Sequence, residues 1–164
     1  MRTDAKVQRR DDRRARHRRR HLLPEPPKRR ARTVSASLDA NIVLRLLLND
    51  VPEQHAAAVS LLQEGGSFVV SDIVLVETLF VLGRAYGLKR EQQREAIHGL
   101  VNLPQIVANA ALFDRALALF VGHPKLSFEH CYLVTSAELT SNQPLYTFDR
   151  KLAGQTDARL LATA

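Results

Sequence analysis

The sequence has no tryptophan, one cysteine, one methionine and only 5% aromatic residues. A lone cysteine, Cys131, excludes an internal disulfide, which suits a reducing cytosol and gives the expectation of a cytoplasmic protein. With so few aromatics, and no stacking motif among them, single-strand binders of the RRM or cold-shock kind are disfavoured, because those lay bases on aromatic rings. The seven glycines form no phosphate-cradling loop, and Gly65-Gly66 reads only as a turn. No serine, cysteine or histidine sits in a nucleophile elbow. No apolar run reaches the roughly 18 residues that a membrane span needs. The arginine-rich start lacks the apolar stretch of a secretory signal.

What the chain has in excess is positive charge, and that excess is confined to one end. Of 24 Lys+Arg and 17 Asp+Glu in 164 residues, residues 1–33 hold 14 and 4, a net of +10. The remainder holds 10 and 13, a net of −3, so a basic face for nucleic acid is not visible in the body of the chain. Clusters such as Arg18-Arg19-Arg20 and Lys28-Arg29-Arg30, interrupted by Pro24, Pro26 and Pro27, leave too little apolar surface to bury. Residues 1–34 therefore read as a basic disordered tail, and residues 35–164 as the domain. Three readings of the tail stand side by side: an RNA-binding arm, a solvated extension, or an over-long start with natural initiation at Val34.

From Ser35 onward short apolar runs alternate with longer helical patterns. Strands are expected at Ala36 to Asp39, Phe68 to Val70, Gln105 to Val107, Leu145 to Phe148 and Leu160-Leu161. Helices are expected at Ile42 to Leu48, Pro52 to Gln63, Asp72 to about Tyr86, Lys89 to Leu103, Ala110 to Val121, and from a Ser127 cap to Leu139. Ser71 is a plausible cap for the third helix. This alternation argues for an α/β fold with a short parallel sheet flanked by helices.

In open parallel sheets, ligands bind beyond the carboxyl ends of the strands. Asp39 and Asp149 fall at two such ends, and each can also be read as the N-cap of the helix that follows. Glu77 has Ile73, Val74, Phe80 and Val81 as helical neighbours, a face expected to be buried. A buried carboxylate needs a partner, which is either Arg84 seven positions on or a metal ion. His130, among Leu126, Leu133 and Val134, is expected to point inward too, and an inward histidine is more often a satisfied core residue than a ligand. Acids converging at one end of a sheet suit Mg²⁺ or Mn²⁺, which prefer hard oxygen donors. Such ions activate water and stabilise the leaving oxygen of a phosphodiester.

Four stretches carry a family likeness: Ser37-Leu38-Asp39-Ala40-Asn41, Ser71-Asp72-Ile73-Val74-Leu75-Val76-Glu77, Leu126-Ser127-Phe128-Glu129-His130-Cys131, and Thr147-Phe148-Asp149-Arg150-Lys151-Leu152. In order and spacing the chain resembles the PIN-domain ribonucleases of the VapC toxin type, from Ser35 to Leu161. The resemblance implies a three-layer fold and Mg²⁺- or Mn²⁺-dependent cleavage of RNA. It also implies a homodimer, and a co-encoded antitoxin that blocks the site. By position it makes Asp39, Glu77 and Asp149 the catalytic metal ligands, with Asn41 and Thr147 orienting ligands or waters. His130 departs from the pattern, standing where the family has an acid, and is expected at the rim of the carboxylates as a third supporting residue. A neutral imidazole is a poor Mg²⁺ ligand and a better one for Mn²⁺. An active toxin and a weakened or inactive domain that binds antitoxin or RNA are therefore both consistent with the likeness.

Overall fold

The computed structural model describes residues 36–162. The expectations for residues 1–34 lie outside the described residues. Within them, seven helices alternate with five two-residue strands, all paired in parallel.

The chain enters through β1 (Ala36–Ser37), α1 (Ala40–Leu48), α2 (Pro52–Gln63) and β2 (Phe68–Val69). It continues through α3 (Asp72–Arg84), α4 (Arg90–Val101) and β3 (Ile106–Val107). It then passes through α5 (Ala110–Gly122), α6 (Phe128–Leu139), β4 (Tyr146–Thr147), α7 (Arg150–Ala153) and β5 (Arg159–Leu160). Strand β2 is central in a three-stranded sheet of order β1-β2-β3. Strands β4 and β5 form a separate pair, so the expected sheet is present in two pieces. The mixed α/β class with short parallel sheets is as the sequence indicated.

Local chemistry accounts for several boundaries. Proline opens α2 at its first position, where its missing N–H costs nothing. Gly65 and Gly66, with φ of 92° and 100°, turn the chain after it in a region that disfavours side chains. Ser127 caps α6 by accepting the His130 N–H. Ser71 stands at the cap of α3, but its side chain makes no capping hydrogen bond. The helix α7 was not expected as an element of its own.

The core gathers Val43, Phe68, Val70, Leu75, Leu82, Ile97, Phe113, Leu117 and Leu126, all nearly free of solvent contact. On α3 the buried face is Leu75, Thr78, Leu79 and Leu82. This corrects the expectation for Glu77, which is exposed between Ile73, 71% exposed, and Phe80, 61% exposed. Residues Ile73 to Val76 and Leu79 to Leu82 are all apolar, so periodicity alone does not choose which side is buried. Thr78 can enter the core because its hydroxyl donates to the Val74 carbonyl at 2.7 Å. Among the described residues, no helix is long and apolar enough to cross a membrane.

One side chain secures the connection between α5 and α6. The Arg90 guanidinium lies over the Phe120 ring at 3.8 Å and donates to four carbonyls, those of Phe120, His123, Pro124 and Leu126. Hydrogen bonds from a charged donor are each worth about 1.5–3 kcal/mol, and these share one head group. Arg90→Ala is expected to lower unfolding free energy by roughly 2–4 kcal/mol in urea titration. Arg90→Lys, which lacks the planar fork, should recover less than about half of that loss. A change within about 0.5 kcal/mol for the alanine variant would show that the loop holds itself, because that is the scatter of ordinary surface substitutions.

Candidate active site

Asp39 follows β1 and caps α1, its Oδ1 accepting the Ile42 N–H at 2.9 Å. Asp149 follows β4 and caps α7, its Oδ1 accepting the N–H groups of Lys151 at 2.7 Å and Leu152 at 3.0 Å. The capping role and the position at a strand end therefore hold together for both residues. In each carboxylate Oδ1 is committed to a helix N-terminus, and Oδ2 accepts no hydrogen bond from a described residue.

The Asp149 Oδ2 faces His130 of α6, whose Nε2 lies 3.9 Å away. His130 is thus not a core histidine. Its side chain is 33% exposed, and its helical neighbour Leu133 is 47% exposed. At that distance and exposure the ion pair adds little stability. The backbone N–H of Leu152 and then that of Lys151, helped by His130 and Lys151 charges, hold the Asp149 carboxyl below the usual aspartate range against a partial desolvation that opposes them.

Of the three residues expected to support the site, Asn41, Thr147 and His130, Thr147 is the best defined. Its hydroxyl accepts the Asp149 N–H at 2.9 Å, fixing the turn from β4 into the cap. Asn41 is exposed on the first turn of α1 and lines, with Asp39, a cleft of about 520 Å³ between α1 and α2. Ile42, Ala57 and Leu61 give that cleft an apolar floor, and Glu64 adds an acid. Glu77 is exposed on α3 and pairs with neither Arg84 nor any other described residue. Exposed as it is, Glu77 needs no partner to offset burial.

Among the described residues, no three His, Cys, Asp or Glu side chains converge closely enough to hold a metal ion. The donor chemistry of Asp39 and Asp149 nonetheless fits a hard divalent cation, since the second oxygen of each accepts no hydrogen bond from a described residue. His130 fits Mg²⁺ poorly. Carboxylates without an ion between them repel one another, which opposes their gathering.

The donors of two polar contacts, Arg90 and Tyr132, belong to no motif in the sequence. Tyr132 of α6 donates to Asp72 of α3 at 2.7 Å. The available signal was Tyr132 itself, one turn after the buried Phe128, since a tyrosine on a packed face needs a partner for its hydroxyl.

Residues 36–156 match the family described as the PIN domain. The chain belongs to the PIN-domain family. No curated protein matches it. PIN domains are generally nucleases, hydrolases of nucleic acid that generally use divalent metals. The likeness read from four short motifs is therefore present at family level, over most of the span expected for it.

The Asp149 cap makes a simple prediction. Asp149→Ala should lower the melting temperature by about 4 °C, whereas Asp149→Asn should leave it nearly unchanged, since asparagine caps as well as aspartate. A carboxyl lowered in the folded state stabilises above its ordinary pKa, and that contribution is lost as pH falls through the folded value. The alanine penalty should therefore shrink on acidification below about pH 4, within the range where a free aspartate titrates. Equal melting temperatures for all three proteins at neutral pH would show that the cap is dispensable.

Proposed function

We propose that this PIN domain is a metal-dependent endoribonuclease and the toxin component of a type II toxin–antitoxin module. The observation that carries the reading is the pair Asp39 and Asp149. Each stands at a strand end with one oxygen held by a helix and the other accepting no hydrogen bond from a described residue, in a chain matched to the family over residues 36–156. On this reading Asp39, Glu77 and Asp149 hold Mg²⁺ or Mn²⁺. When bound, the ion supplies water activation and stabilises the leaving oxygen of the phosphodiester. The helix caps keep Asp39 and Asp149 from turning, and Thr147 holds the Asp149 backbone. Asn41, at the mouth of the cleft, orients water or substrate.

Two surfaces support partners. Ile73 and Phe80 expose apolar side chains on either side of Glu77, which suits a face covered in a homodimer or by an antitoxin. The apolar floor of the α1–α2 cleft, ending at Asp39 and Glu64, suits an antitoxin segment that blocks the site. A second reading is favoured by the 3.9 Å approach of His130 to Asp149. Here the acid of the resembled pattern is replaced by imidazole, and the domain binds RNA or antitoxin while cutting slowly.

Partner-free protein should cut single-stranded or loop RNA in Mn²⁺ or Mg²⁺, lose that activity in EDTA, and lose it in Asp39→Asn, which keeps the cap. Cleavage that survives EDTA and the substitution refutes the site. His130→Asp should raise Mg²⁺-dependent cleavage at least about tenfold if an acid is what the site lacks. An unchanged rate would instead show that the site lacks no acid at this position.

A further inference from the structure

Tyr132 lies two residues beyond His130 on α6, and its ring packs against Phe113 of α5 with centroids 5.8 Å apart. Its hydroxyl reaches across to α3, donating at 2.7 Å to Asp72 Oδ2, sixty residues away in sequence. Asp72 is the first residue of α3, where a carboxylate is favoured by the helix dipole. Burial, then the hydrogen bond and charge of Asp72, push the Tyr132 hydroxyl up to about 12, so it remains a donor at neutral pH.

The placement of this hydrogen bond matters more than its strength. Helix α6 packs mainly on α5 and touches α3 far less. Yet α3 carries Glu77, five residues after Asp72, and α6 carries His130, which faces Asp149. The relation between these groups depends on how α6 is rolled and set against α3. At an outer helix radius of about 5–6 Å, a roll of about 10° moves a side-chain tip by about 1 Å. Misplacement on that scale is costly in a catalytic site.

We propose that the Tyr132–Asp72 hydrogen bond is a positioning strut. It fixes the roll of α6 on α3 and thereby sets His130 against Asp149 and both relative to Glu77. The proposal rests on the reading of Asp39, Glu77 and Asp149 as the ion-holding carboxylates. Tyr132 is a positioning residue and touches no reacting atom. Asp72 serves as its acceptor.

The test uses the full chain, with Mn²⁺ titrated by calorimetry and, separately, NMR of the His130 ring protons in EDTA at fixed pH. Tyr132→Phe keeps the ring and removes the donor. It should weaken Mn²⁺ binding about tenfold, the lower end expected for lost support of a metal site, and shift the His130 resonances. Asp72→Asn keeps an oxygen that accepts from Tyr132, so its Mn²⁺ affinity should stay within about threefold of wild type and the His130 resonances should stay in place. Wild-type affinity together with unmoved His130 resonances in Tyr132→Phe overturns the strut. A larger affinity loss in Asp72→Asn than in Tyr132→Phe overturns it too, by making Asp72 a ligand. If wild-type protein takes up no Mn²⁺, the ion reading fails instead. The His130 resonances then decide the strut alone: moved in Tyr132→Phe only, they sustain it, and any other pattern removes it.

Discussion

The first N–H groups of a helix have no partner within the helix, and something must satisfy them. At the ends of β1 and β4 that task falls to Asp39 and Asp149, each with one oxygen. The strands are only two residues long, so the caps, rather than extended ladders, define where chain direction changes. This constraint also fixes the chemistry available. A carboxylate pinned through one oxygen has few rotamers left and presents the other in a set direction. Capping and ion binding are therefore compatible uses of one side chain. They are also separable, because asparagine can cap but carries no charge.

The rest of the candidate site depends on where α6 begins and how it lies. Arg90 collects the carbonyls of the segment leading into α6, and Ser127 caps its first turn. From there the helix presents His130 toward Asp149 and Tyr132 toward Asp72. The supports thus run from α4, through the α5–α6 connection, to the carboxylate capping α7. The Ser127 cap is local in sequence, whereas the Arg90 and Tyr132 contacts are not.

That distance explains what the sequence disclosed and what it did not. Proline and paired glycines bound α2, so its limits, Pro52 and Gln63, were readable from local chemistry. The strand ends at Asp39 and Asp149 and the cap at Ser127 were readable for the same reason. The buried face of α3 was not, because apolar residues occur on nearly every side of it and only tertiary packing selects Leu75, Leu79 and Leu82. Glu77 was therefore assigned to the wrong environment, although its place on the helix was right. His130 was read as inward from Leu126, which is buried, and Leu133, which is not. The Arg90 and Tyr132 contacts join residues thirty or more positions apart, and no local pattern names the partner of either side chain.

On the proposed reading, Asp39 and Asp149 each divide their oxygens between a helix and a divalent ion. Thermal unfolding with and without Mn²⁺ tests it most directly, since an ion that binds only the folded state raises the melting temperature. Wild-type protein, Asp39→Asn and Asp149→Asn should melt together in EDTA. Added Mn²⁺ should then raise the wild type alone. An equal Mn²⁺ shift in all three proteins would mean that neither carboxylate holds the ion.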